Sequence, residues 1–92
     1  MRNYNYEILK AVGSRLKYFR EQKKLSREQA AGRIGVTART LASYERGERE
    51  ASGETIIKIA DLYGVTFEKL TDYKNIMKEV AQRCLEDAEE TG

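Results

Sequence analysis

Apolar residues recur along this chain at three- and four-residue spacing, the period of helices with one buried face. Ile8, Leu9, Val12, Leu16 and Phe19 mark a first helix running to about Gln22. Ala30, Ala31 and Ile34 mark a second, and Leu41 and Tyr44 a third. Ile56, Ile57, Ile59, Ala60 and Tyr63 form the broad face of a fourth, and Leu70 anchors a short fifth. The punctuation agrees with the period. Ser26 with Gln29 three residues later makes a capping box, so a helix should begin at Arg27, and Gly35 can turn left-handed to close it. Thr37 caps the next helix, with Val36 and Leu41 at the positions that staple a helix start, as Leu25 and Ala30 do one helix earlier. Gly47 offers the next stop. Ala51 and Ser52 open the fourth helix, Gly64 ends it, and Val65, Thr66 and Leu70 repeat staple and cap for a fifth starting at Phe67. The expected class is all-α.

The stretch Ser26 to Arg46 holds two short helices joined by a tight Gly-containing turn. With Leu41 and Tyr44 inward, Ala38, Arg39, Ala42, Ser43 and Arg46 share the opposite face of the second helix, which is small and basic. That describes a helix-turn-helix presenting its second helix to the DNA major groove. The alternative at this point is an ordinary αα-hairpin inside a helical core.

Composition narrows the chemistry. Ninety-two residues suit one small domain, and a charged fraction of 35% beside 40% hydrophobic residues, with no Pro, suits a globular helical chain. No run of about 18 apolar residues is present. The segment MRNYNYEILK lacks the apolar core of a signal peptide, so the expectation is a cytoplasmic protein without a membrane partner. Cys84 is the single cysteine and histidine is absent, which removes Cys/His zinc spacings and the Ser-His and Cys-His nucleophile pairs. The glycines are dispersed rather than gathered into a phosphate-cradling loop. The expectation is therefore no enzyme, no metal and no cofactor.

The net charge of +2 conceals an asymmetry. Between Arg15 and Arg49 ten basic residues face four acidic ones, a net of +6. From Glu50 to Gly92 five basic residues face ten acidic, a net of −5. Positive potential thus coincides with the central helix pair, the footprint of a phosphate-binding face.

The run from Val12 to Asp72 resembles the DNA-binding domain of the phage-repressor, Cro and XRE family of helix-turn-helix regulators. The matching pieces are GSRLKYFREQKKLS, SREQAAGRIGVTARTLASYERG and ETIIKIADLYGVTFEKL. The resemblance implies a five-helix repressor-like domain over residues 8–72, with the motif at 26–46. It implies that Thr37, Ala38, Arg39 and Ser43, which open the third helix, read base edges. Among them Arg39 can bond bidentately to guanine O6 and N7, the alternative for it being a phosphate contact or a solvated side chain. Arg27 stands where the family often has glutamine, well placed for a backbone phosphate at a helix start. Arg46 and Arg49 are the next phosphate candidates, followed by Arg15 and Lys17, although Glu48 and Glu50 in the same loop would repel DNA. Arg20 and Glu45 match a family ion pair tying the motif to the first helix, the alternative being two separate solvated charges. Further departures are Lys24 for a frequent glycine, Ala30 for the usual leucine and Ala51 for a frequent proline. The alanine at 30 implies a core of order 2 kcal/mol weaker if nothing compensates.

Residues 73–90 lie beyond the shared domain, yet Tyr73, Ile76, Met77, Val80, Ala81, Cys84, Leu85 and Ala88 carry an apolar stripe along a sixth, mostly charged helix. This stripe packs on its own domain, pairs with a second copy, or meets a separate protein. A two-fold dimer would read inverted half-sites about 10 bp apart or a multiple of that. The reading that results is a sequence-specific regulator, a repressor binding double-stranded DNA as a homodimer. The alternative is an interaction module of the same fold, an antitoxin or anti-regulator, acting through the C-terminal helix on a protein partner.

Overall fold

Helix boundaries in the structure, a computed structural model, follow the punctuation of the sequence closely. It describes residues 4–72 together with Lys78 and Gln82. Five helices are defined: α1 (Tyr4–Gln22), α2 (Arg27–Ile34), α3 (Ala38–Glu45), α4 (Gly53–Tyr63) and α5 (Phe67–Thr71), with no strand among the described residues. Lys78 and Gln82 are helical and exposed. The stripe residues Tyr73, Ile76, Met77, Val80, Ala81, Cys84, Leu85 and Ala88 lie outside the described residues.

Each of the four helices after α1 begins on a hydroxyl cap. The backbone N–H of Gln29 donates to Ser26 Oγ at 3.0 Å while Ser26 N–H donates to Gln29 Oε1 at 2.9 Å, a complete capping box. Thr37, Ser52 and Thr66 accept from the backbone N–H of Thr40, Thr55 and Lys69 in the same way. Gly35 closes α2 in the left-handed conformation at φ 91°, and its N–H returns to the Ala31 carbonyl at 2.8 Å. The connection between α2 and α3 is therefore short and fixed at both ends. Lys24, at φ 56°, is the one described non-glycine residue with positive φ, which explains why glycine serves well at that place.

α1 starts one turn earlier than its apolar stripe indicates. The added turn carries Glu7, a favourable charge near the positive end of the helix dipole, and Lys10 Nζ lies 5.1 Å from the centre of the Tyr6 ring.

The core gathers Leu16, Leu41, Ile59, Tyr63 and Leu70, each almost wholly buried, with Ala30, Ala31, Ile34, Ile56 and Ala60 around them. α3 packs against both α1 and α2, α2 also meets α4, and α5 packs against α1 and α4. Two expectations are corrected by this arrangement. Ala42 is buried, and Ala38 packs partly against the core, whereas both were expected on the outward face of α3. Two helices cover α3 from different sides, so its buried strip is wider than one apolar stripe. Ile57, expected in the core face of α4, is 55% exposed. The buried set Ile56, Ile59, Ala60 and Tyr63 follows the i, i+3, i+4, i+7 rule, and Ile57 lies about 100° round from Ile56.

Candidate nucleic-acid interface

The residues left outward on α3 are those with polar chemistry. Arg39, Ser43 and Arg46 stand four and three residues apart, on one face of a helix whose other face is buried. Arg39 is exposed, and its side chain has no hydrogen-bond or ion-pair partner among the described residues. Ser43 is half-buried and its Oγ donates to the Arg39 carbonyl at 3.2 Å. Thr37 is occupied as a cap: its Oγ1 accepts from Thr40 N–H at 3.1 Å and donates to Thr40 Oγ1 at 3.0 Å. Ala38 presents only part of its methyl group to solvent. Of the four base-reading candidates, Arg39 alone combines exposure with several uncommitted donors.

Beneath this face lies a buried ion pair. Arg20 Nε donates to Glu45 Oε2 at 2.6 Å and Nη2 to Oε1 at 3.2 Å, a forked geometry that leaves both residues about 6% exposed. The third Arg20 donor, Nη1, reaches the Leu25 carbonyl at 2.7 Å. The hydrogen bond to Glu45 raises the Arg20 pKa above its usual value. Arg20 and Glu45 thus form the inferred pair, and the alternative of two separate solvated charges is set aside. The pair joins α1, the loop before α2 and the end of α3.

The cations expected at phosphates fall into three settings. Arg27 is half-buried and its Nε donates to Glu45 Oε1 at 3.1 Å, a link that residue spacing gave no sign of, since the two are 18 positions apart. Arg46 caps α3, and its Nε donates to both oxygens of Glu48, at 2.6 and 3.0 Å. That bond raises the Arg46 pKa, and the acidic loop residue neutralises the arginine rather than merely standing near it. Arg49 and Lys17 are exposed. Arg15 Nη1 donates to the Lys69 carbonyl at 2.9 Å, so this side chain is tied to α5.

No group of three or more His, Cys, Asp or Glu residues among the described residues could hold a metal ion, and no described helix is long and apolar enough to cross a membrane. A groove of about 330 Å³ runs between α1 and the α3–α4 connection, lined by Ile8, Val12, Leu16, Ile56 and, near the end of α5, Thr71. Its lining is mixed, since the charged Arg49 and Glu50 border it beside these apolar residues.

Comparison with known proteins agrees with this geometry. A family model described as helix-turn-helix matches residues 16–70. The chain is 31% identical over 77 residues to the HTH-type transcriptional regulator YqaE of Bacillus subtilis (strain 168), covering 80% of this chain and 66% of that protein. It is 35% identical over 57 residues to the cryptic phage CTXphi transcriptional repressor RstR of Vibrio cholerae, covering 62% of this chain and 51% of the relative. It therefore spans between about half and two-thirds of the length of these two relatives. The crystal structure of the restriction-modification controller protein C.AhdI from Aeromonas hydrophila superposes with a TM-score of 0.65 at 32% identity, over 67% of this chain and 94% of that one. Relatives named as transcriptional regulators bear out the non-enzymatic reading of the sequence. With a family model spanning more than half its length and a solved relative sharing its helical architecture, the chain belongs to the helix-turn-helix family.

Proposed function

We propose that this protein is a sequence-specific DNA-binding transcriptional regulator, a repressor that occupies an operator with α3 in the major groove. The observation that carries the reading is the contrast across α3. One side is anchored by the buried Glu45 and Leu41, and the other offers Arg39 with its guanidinium uncommitted among the described residues. The name of RstR, a transcriptional repressor, and that of C.AhdI, a controller protein, support the same direction. Arg39 reads a guanine in this proposal, and Ser43 and Ala38 add weaker discrimination by hydroxyl and methyl contact. Thr37 contributes only if its cap bond to Thr40 is exchanged for one to a base. Arg27, Arg46, Arg49 and Lys17 face phosphates, with Arg46 engaging only as Glu48 releases it. Arg15, held at α5, is the weakest of the set.

A single helix reads too few base pairs for useful specificity, so the regulator acts as a two-fold dimer on an inverted repeat. The occupant of the dimer interface is the C-terminal stripe of Tyr73, Ile76, Met77, Val80 and Cys84, with Leu85 at its edge. Lys78 and Gln82, the two described residues of this segment, are helical and exposed, and neither belongs to the stripe.

Selection from a random DNA pool with the purified chain tests the proposal. An enriched inverted repeat bound at least about a thousandfold more tightly than scrambled DNA establishes it. Absence of enrichment, with only steeply salt-dependent binding, overturns it and turns attention to a protein partner.

A further inference from the structure

Glu45 is shared by two guanidinium groups that differ in what they have left to give. Arg20 spends Nε and Nη2 on the carboxylate and Nη1 on the Leu25 carbonyl, and its side chain is 8% exposed. Arg27 spends only Nε, at 3.1 Å from Glu45 Oε1, and its side chain is 41% exposed. One carboxylate between two guanidiniums leaves a positive charge uncompensated. Of the two, only Arg27 reaches solvent, so that charge is presented there.

We infer that Glu45 is a positioning residue for DNA-backbone binding, acting through Arg27. By accepting from Nε, the buried carboxylate holds the Arg27 guanidinium by one edge and leaves the Nη1/Nη2 edge free to grip two oxygens of one phosphate. Glu45 is the last residue of α3, so a phosphate held in this way is registered against the groove-facing helix through a single side chain. Phosphate contacts of this kind set the register in which bases are read. The inference rests on the proposed DNA-binding function and adds a dependence on guanidinium geometry, not on charge alone. A lysine at position 27 keeps the charge, but its one ammonium cannot hold the carboxylate by one edge and a phosphate by another.

The test compares the full chain with Arg27→Lys and Arg27→Ala on the selected operator and on scrambled DNA, across a salt series. Arg27→Lys is expected to lose at least about tenfold in affinity on both DNAs, close to Arg27→Ala. Both variants are expected to flatten the salt slope by about one unit. Melting curves of the free variants separate this from a folding defect. Glu45→Gln completes a double-mutant cycle, its binding loss disappearing in the Arg27→Ala background. If that variant does not fold, the lysine and alanine arms still decide the matter. Arg27→Lys binding within about twofold of the parent, with an unchanged salt slope, overturns the inference while leaving the DNA-binding proposal intact. A parent chain that binds no DNA overturns both.

Discussion

Gly13 of α1 lies directly on the end of α3: a Cβ at this position would stand 2.5 Å from the carbonyl oxygen of Glu45 and equally close to that of Tyr44. Both obstacles are backbone, so neither can rotate away. The α1–α3 crossing, and with it the pose of the outward face, depends on the missing side chain. Gly47, in the turn just past α3, repeats the arrangement from the other side, since its own Cβ would meet Lys10 backbone atoms at 2.7 and 2.8 Å. Gly13→Ala would gain about 1 kcal/mol of helix propensity in isolation. We nevertheless expect a net loss of at least about 2 kcal/mol in urea denaturation, because the helices must part. A stabilised Gly13→Ala protein would show that α1 does not approach α3 this closely.

The hydroxyl of Tyr63 is buried without a hydrogen-bond partner among the described residues, and burial pushes its pKa up to about 12, with Glu45 adding to the shift. Below pH 10 both folded and unfolded chains carry the proton, so the stability associated with this group is fully present. From pH 10 to 12 the unfolded tyrosine ionises while the folded one does not, and stability falls by up to about 3 kcal/mol. Tyr63→Phe should flatten that alkaline loss and, by removing an unpaired buried hydroxyl, gain about 1 kcal/mol at neutral pH. Thermal melts from pH 7 to 11.5 check both parts; a destabilised phenylalanine variant at pH 7 would mean that the hydroxyl is bonded after all.

Lys24 occupies the left-handed region at φ 56° with an exposed side chain. Replacing it by glycine removes the Cβ strain of that conformation. The expected gain is about 1 kcal/mol in the denaturation midpoint at unchanged slope, diminished by the greater freedom glycine has when unfolded. An equal or lower midpoint would argue against the left-handed turn.

Ala30 is 0% exposed within a cluster that includes Tyr63, the largest fully buried side chain. The described groove lies elsewhere, between α1 and the α3–α4 connection. Restoring the leucine common in the family should therefore overpack the site and cost about 1–3 kcal/mol, rather than recover the deficit its absence implies. A more stable Ala30→Leu protein would reveal space beside α2.

Arg39→Ala should relax base preference at one operator position, costing about 1–3 kcal/mol there, and leave binding to scrambled DNA nearly unchanged. Competition with operators altered at single positions reads this out. Equal losses on operator and scrambled DNA would make Arg39 a phosphate contact.

Helix boundaries were legible in the sequence because they are set locally. Ser26, Gln29, Gly35, Thr37, Ser52 and Thr66 act on backbone groups within a few residues, and α2 and α3 begin at the positions these caps indicate. The helix-turn-helix and the all-α class followed from spacing and punctuation, whereas the partnership of Arg20 with Glu45, 25 residues apart, followed from the resemblance alone. What lay beyond reach depended on how helices cross. The burial of Ala42 and the exposure of Ile57 reflect which neighbours cover each helix, and the link from Arg27 to Glu45 joins residues 18 apart through the packing of α2 against α3. Local hydrogen bonds and the helical period are written into consecutive residues. The sharing of one buried carboxylate between two arginines, and the committed or uncommitted state of each cation, arise only when distant segments meet.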